Sequence, residues 1–320
     1  MQRRTFLKHS CAAALISAFP QHTLSGLHLK SKLLKSIGIQ LFSLPKLLES
    51  SFEEGIRLLA EMGYREIELY GPYSFSAQSA KDRWNAITPM LGFSGSGFFG
   101  HTLREIRTIL KKHSIKATAM HTDLETLNQH MGQLGEAAAR LGVEFVGIPA
   151  IPEEKRGSLE DYQRMAVEFN SIGEKAKNVG VKFSYHNHGY GLQELQGQIP
   201  FNVILEQTDP QLVFFEMDLY WTTAGGADPV EYLQAYPNRF RLMHVKDMRE
   251  KVRFSGDGGS PKEWMELFPY MTTVGDGVLD LSAILPVAKR MGVKHFYVEQ
   301  DMVANPQVAL KRSIDYLKSL

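Results

Sequence analysis

Residues 115–148 read IKATAMHTDLETLNQHMGQLGEAAARLGVEFVGI, and this stretch holds one complete repeat of the fold. Residues 115–121 are a short apolar, β-rich run, residues 124–141 carry an amphipathic helical pattern, and residues 144–148 open a second β-rich run. Gly142 sits where the helix must stop and the chain must re-enter the sheet, a place that favours a left-handed residue without a Cβ. The same joint recurs as Met62-Gly63-Tyr64, Val179-Gly180-Val181 and Met291-Gly292-Val293.

Working outward from that repeat, strands are predicted over 37–41, 66–70, 115–121, 144–148, 181–188, 212–218, 240–246 and 295–299. Helices are predicted over 52–62, 102–113, 124–141, 159–179, 200–206, 228–236, 281–291 and 306–317. Two excursions interrupt the alternation, a polar and glycine-rich one over 71–100 and another ending at Gly277. Eight strand–helix units in one chain predict a closed (β/α)₈ TIM barrel, a single domain over residues 31–320, rather than an open doubly wound sheet. No G-x-G-x-x-G follows the first strand, which argues against a dinucleotide fold.

The chain has 320 residues, 43% of them hydrophobic, enough for a full core, and a formal net charge of +1. The basic residues are scattered, so neither nucleic acid nor an anionic membrane is an expected partner. Residues 1–30 read as an export signal and linker: Arg3-Arg4-Thr5-Phe6-Leu7-Lys8 precedes an apolar run, 11–19, too short to span a bilayer. The paired arginines resemble a twin-arginine signal, which places the mature chain in the periplasm or otherwise outside the cytoplasm. The single cysteine, Cys11, lies within that segment, so disulfides and thiolate catalysis are not expected of the mature chain.

Active sites of such barrels gather at the C-terminal ends of the strands. Those ends carry Gln40, Glu68, His121, His186 and His188, Asp218, His244 with Lys246, and Glu299. Packing alone does not call for ionisable groups at so many strand ends, because a buried charge is costly unless it is paired or bound to metal. Asp218, His244 and Glu299, with one histidine of Tyr185-His186-Asn187-His188, form a ligand set suited to Mn, Co, Zn or Fe as a divalent ion. His186 is taken as the ligand and His188 as the base, with the reverse left open. Lys246 and Glu68 join His188 as candidate catalytic residues, while Gln40, His121, Asn187 and Trp221 are candidates for substrate contact. The chemistry this set suits is removal of a proton next to a carbonyl, over an ion that stabilises the resulting enediolate. Residues 252–273, rich in glycine and aromatics, read as a lid or as a contact in a homo-oligomer.

In order along the chain stand Ile-Gln-Leu-Phe-Ser-Leu (39–44), Ile-Glu-Leu-Tyr-Gly (67–71), Tyr-His-Asn-His (185–188), Met-Asp-Leu-Tyr-Trp (217–221), His-Val-Lys-Asp (244–247), Val-Gly-Asp-Gly-Val-Leu-Asp (274–280) and Val-Glu-Gln-Asp (298–301). This ordered set resembles the xylose isomerase-like TIM-barrel superfamily, whose members are often called sugar phosphate isomerases/epimerases. The resemblance covers residues 36–320. It implies a metal-dependent sugar isomerase or epimerase, with Asp218, His244 and Glu299 on the last three positions of a Glu-Asp-His-Glu ligand set. Ser184 stands where the epimerases have their first glutamate, so His186 or His188 would take that place. The Tyr-His-Asn-His, His-Val-Lys-Asp and Glu-Gln-Asp stretches are similar to inosose dehydratase, which removes a proton beside a ketone and expels a hydroxyl. A lyase, dehydratase or hydratase acting on a 3-keto-glycoside or an inosose-like compound is therefore the alternative, and a non-catalytic sugar-binding barrel a further one. The implied partner is a small sugar or keto-sugar.

Overall fold

The computed structural model describes residues 33–320; the export-signal reading, residues 1–30, falls outside them. Ten strands occur among the described residues: β1 (Gly38–Gln40), β2 (Glu66–Tyr70), β3 (Lys116–His121), β4 (Phe145–Ile148), β5 (Lys182–His186), β6 (Val213–Asp218), β7 (Phe240–Val245), β8 (Asp247–Met248), β9 (Met271–Thr272) and β10 (His295–Val298). Eight of them close a barrel in the order β1-β10-β7-β6-β5-β4-β3-β2. Every neighbour pair in it is parallel, and β1 closes on β10 with Gly38 opposite Tyr297. β8 and β9 pair antiparallel as a small ribbon above the wall. The predicted closed barrel is thus the observed fold.

The helices form because their apolar stripes face this wall. Phe52–Met62 buries Phe52, Ile56, Leu59 and Met62, spaced for one helical face. Gly63, at φ 109°, then ends it as anticipated, and Gly142, Gly180 and Gly292 are likewise left-handed. Thr102 caps Leu103–Lys112 through a capping box with Glu105, and Ser158 caps Leu159–Asn178.

The structure departs from the sequence pattern in several places, four of which bear on the site or its surroundings. The excursion over 71–100 contains a helix, Gln78–Leu91, in which only Ala80 is fully buried, so it offers no apolar stripe to detect. The single helix expected over 124–141 is two, Leu124–Gln129 and Met131–Leu141, broken at His130. The strand expected over 181–188 ends at His186, which puts His188 on the following loop rather than on the sheet. A short helix, Leu219–Ala224, starts directly on Asp218, whose side chain caps it by accepting from the Trp221 N–H.

The second excursion is pinned by one carboxylate. Asp247 is 1% exposed and accepts from the backbone N–H groups of Met248, Gly275, Gly277 and Leu279. A Cβ on Gly277 would come 2.1 Å from Asp247 Oδ1, so only glycine lets the loop close on it.

Candidate metal centre

Inside the barrel, side chains two apart on a strand share a face, and this stacks the interior in layers. The lowest apolar layer comprises Ala119, Phe145, Leu242 and Tyr297, with Phe214 packed against it. Two residues further on come Glu216 on β6 and His244 on β7, joined by Glu68 from β2 and His121 from β3. Two residues further again are Asp218 and Lys246, with His186, Glu299 and Asp301 beside them. The sheet register sets Asp218 directly opposite His244.

At the top layer, His186 Nε2 lies 3.3 Å from Asp218 Oδ2, and His244 Nδ1 lies 2.7 Å from Glu299 Oε2. Lys246 Nζ sits among three carboxylates, 2.7 Å from Glu299, 2.9 Å from Asp301 and 3.1 Å from Asp218. Asp218 spends Oδ1 on the Trp221 N–H at 2.9 Å, which leaves Oδ2 aimed at the centre. The ligand atoms of Asp218, His244 and Glu299 all lie within 4.8 Å of one another. His244 Nδ1 and Glu299 Oε2 are close and fully buried, yet neither makes a hydrogen bond of proper geometry among the described residues. A crowd of imidazole and carboxylate atoms on one point, with Asp218 Oδ2, His244 Nδ1 and Glu299 Oε2 facing one another, fits a divalent transition ion.

Electrostatics points the same way. Burial works against the His244 imidazolium, but Glu216, Glu299 and Glu68 outweigh it and hold that proton far more tightly than usual. Against burial, Lys246 and the neighbouring histidines keep Asp218 well below the usual carboxylate range, and Lys246 with His244 does the same for Glu299. Lys246 overcomes its burial through Asp218, Asp301 and Glu299 and stays charged. Asp301 moves the other way, pushed up to about 7 by burial and by Glu299. One ammonium thus faces two ionised carboxylates and a third near neutrality, a field that attracts a cation, and a divalent ion can replace the extra proton on His244.

His188 differs from its neighbours. It alone among the site's histidines is half-buried rather than fully buried. Its Nδ1 lies 2.6 Å from the Pro149 carbonyl, so Nδ1 carries the proton and Nε2 keeps its lone pair. Burial, then His186 and Lys246, hold it well below the ordinary imidazole range, which makes it neutral. Its ring lies between His186, at 4.4 Å, and Trp264, at 5.1 Å. Trp264 belongs to Pro261–Leu267, part of the segment expected to be a lid. That segment also stacks Phe254 on Trp221 at 5.6 Å and is tied down by Gln193 and Arg156, which donate to the Gly256 and Gly259 carbonyls.

The candidates read from the sequence separate into two groups. His186, His188, Asp218, His244, Lys246 and Glu299 come together at the top. Glu68, expected to be catalytic, and His121, expected to touch substrate, sit deeper, in the layer of Glu216 and the Nε2 edge of His244, because β2 and β3 present them inside the barrel. Gln40 is committed as well, donating to Glu68 at 2.8 Å and accepting from the Phe42 N–H. Asn187 turns away from the centre to Tyr185, the Tyr190 carbonyl and the Gly189 N–H, so it shapes the loop rather than facing substrate. Trp221 is 1% exposed and forms the floor under Phe254, with Lys246 Nζ 5.8 Å from its ring centre. Glu216 and Asp301 were not anticipated. Glu216 lies two residues before Asp218 on β6, and that strand period is the signal that would have found it, whereas Asp301 lies in the turn after β10, two residues past Glu299.

A family model described as a xylose isomerase-like TIM barrel matches residues 56–320. Among curated proteins the chain is similar to an inosose dehydratase of Clostridium tetani, 33% identical over 105 residues, which are 32% of this chain and 34% of that protein. It is also similar to that of Clostridium beijerinckii, 28% identical over 173 residues, 50% of this chain and 54% of that protein. These two matches therefore span only about a third to a half of the relatives' length. A longer match, to the inosose dehydratase of Mesomycoplasma hyopneumoniae strain 7448, is 24% identical and covers 84% of this chain and 89% of that protein. Among solved structures, a sugar phosphate isomerase/epimerase from Parabacteroides distasonis superposes with a TM-score of 0.70 at 23% identity, covering 91% of this chain and 96% of that one. The IolI protein with a zinc atom follows at 0.61 and 17%, covering 89% and 95%. These structural likenesses are of fold.

Proposed function

Because this chain belongs to the xylose isomerase-like TIM-barrel family, a family of enzymes, we propose that it removes the proton next to the carbonyl of a keto-sugar or inosose-like polyol and then expels water. One divalent transition ion is held by His186, Asp218, His244 and Glu299 in this reading. When bound, it supplies Lewis-acid polarisation of the substrate carbonyl.

The observation that carries the proposal is the state of His188. A neutral imidazole whose Nδ1 proton is fixed on the Pro149 carbonyl, and whose Nε2 has no hydrogen-bond partner among the described residues, is a ready general base. Lys246 stays protonated among Asp218, Glu299 and Asp301, so it donates to the oxygen on which negative charge develops. Asp301, pushed up to about 7 by burial and Glu299, carries a proton in part of the molecules at neutral pH and can pass it to a departing hydroxyl. Trp221, stacked under Phe254, and Trp264, against the His188 ring, wall the centre with apolar surface and keep water out.

Loss of water is preferred over simple isomerisation because the curated relatives quoted above are inosose dehydratases, and because the site pairs a neutral base with a separate carboxylic acid. The isomerase or epimerase reading shares the first step but then needs a proton delivered to the former carbonyl carbon, for isomerisation, or to the opposite face of the same carbon, for epimerisation. We further propose that the chain is exported through Arg3 and Arg4, and that its substrate is a small unphosphorylated molecule rather than nucleic acid. No helix among the described residues is long and apolar enough to cross a membrane.

His188→Ala tests the assignment: the ion should remain bound while turnover falls by roughly 10²–10⁴-fold. Wild-type turnover in that variant on the true substrate would remove His188 from the mechanism.

A further inference from the structure

β6 carries Phe214, Glu216 and Asp218 on its inner face; the first packs in the apolar layer and the last belongs to the ion centre, which leaves Glu216 without a role. Its surroundings are specific. Glu68 Oε2 lies 2.6 Å from His244 Nε2, and His244 Nε2 lies 3.2 Å from Glu216 Oε1. Glu216 Oε2 lies 2.7 Å from His121 Nε2, and His121 Nε2 lies 3.2 Å from Glu68 Oε1. Acid and base alternate around a closed ring, and no member is more than 4% exposed.

We propose that Glu216 and Glu68 are positioning residues for the ion centre: with His121 they close a buried ring on the Nε2 edge of His244 and fix its Nδ1 edge toward Asp218 and Glu299. The inference rests on the reading of His244 as an ion ligand. An imidazole whose Nε2 faces two carboxylates keeps its proton there, so the lone pair falls on Nδ1, the nitrogen that lies 2.7 Å from Glu299 and 3.8 Å from Asp218. Neither carboxylate does this alone. Both engage His244 and His121 at once, Glu68 with the shorter contact to His244 and Glu216 with the shorter one to His121, so together they stop either ring from swinging.

The walls around the ring are shaped to admit it. Gly147 on β4 and Ser184 on β5 stand beside His121, and a Cβ on Gly147 would come 3.1 Å from the His121 ring and 2.7 Å from Ser184 Oγ. A larger residue at Gly147 would push His121 out of contact with Glu216. On the far side, Gln40 holds Glu68 at 2.8 Å. Glu216 and Asp218 also share one strand, so β6 fixes a ligand and the group that orients the next ligand in a single rigid piece.

The test uses the full chain, with Mn²⁺ as the binding probe. Glu216→Gln keeps the side-chain shape and removes the charge. Calorimetric titration should show one ion per chain in both proteins, with affinity about 10–100-fold weaker in the variant. Histidine ¹⁵N spectra of the protein loaded with diamagnetic Zn²⁺ should show a fixed Nε2–H at His244 in the wild type and its loosening in the variant. A merely structural role would lower the unfolding temperature and move neither readout. If Glu216→Gln does not fold, Glu68→Gln, which removes the 2.6 Å contact, should weaken Mn²⁺ at least as much. Affinity within twofold of wild type in a folded variant overturns the inference. Two ions in the wild type falling to one in Glu216→Gln also overturns it, since the ring would then be an ion site itself. A wild type that binds no ion refutes the metal reading on which the inference stands, and is distinguishable because no variant is needed to see it.

Discussion

Replacing Lys246 by methionine removes the ammonium from the centre and keeps a side chain of similar length. Lys246 is 1% exposed, and its Nζ lies within 3.1 Å of Asp218, Glu299 and Asp301. Taking away one partner of a buried charge cluster costs about 3–5 kcal/mol, because the remaining carboxylates lose their compensation in a poorly solvated place. For a domain of this size that is roughly 6–10 °C of unfolding temperature. A divalent ion between Asp218, His244 and Glu299 resupplies positive charge where the ammonium was, and the more negative variant site gains more from it than the wild type does. The assay is thermal unfolding by circular dichroism, in chelator and in saturating Mn²⁺, on Lys246→Met and wild type together. The full deficit should appear in chelator and narrow to roughly 3 °C or less with Mn²⁺. Turnover should stay about 10²–10³-fold down even with the ion bound, since the oxyanion donor is missing. A deficit unchanged by Mn²⁺ would refute the placement of the ion beside Lys246, and no deficit in chelator would refute the electrostatic account.

Asp218→Ala and Glu299→Ala should each lose the ion and remain folded, as judged by metal analysis and circular dichroism; full occupancy in both would move the site elsewhere. At the opposite mouth of the barrel, His295 meets Glu66 at 2.7 Å and Glu144 at 3.5 Å, and against burial Glu144 and Glu66 raise it to about 9. A raised folded value stabilises fully below about pH 6.5 and is lost as pH climbs through about 9, so His295→Gln should cost about 3 kcal/mol near pH 6 and almost nothing near pH 10. Parallel pH–stability curves for the two proteins would contradict this. Changing Arg3 and Arg4 together to lysine should retain the protein in the cytoplasm, read by cell fractionation, if the twin-arginine proposal is right.

The barrel was legible because its strands and helices obey two different periods and because four glycines mark the returns to the sheet. Gln78–Leu91 was not, since a helix with one fully buried residue leaves no pattern in hydropathy. At the centre, Asp218, His244 and Glu299 were readable as ionisable groups where a barrel wall ends. Glu216 escaped because it lies inside its strand, where apolar residues are the rule, and its role depends on His121 and Glu68 from strands distant in sequence. The sequence pattern also placed His188 on the sheet beside His186. Its position on a loop, with Nδ1 held by Pro149, is what separates base from ligand, and that hydrogen bond spans 39 positions of the chain. Asn187 looked like a substrate contact only because it stands between two site histidines; its amide is consumed by the turn.

The central claim, ion-dependent proton abstraction followed by loss of water, is tested most directly by one experiment on the Mn²⁺-loaded protein in D₂O. Inososes and 3-keto-glycosides are offered side by side with free ketoses, and product mass and near-ultraviolet absorbance are followed together. The account predicts a product lighter by one water with a new enone absorbance, abolished by chelator and by His188→Ala. A product that keeps the substrate's mass apart from incorporated deuterium, with no new absorbance, would contradict dehydration and make the enzyme an isomerase or epimerase.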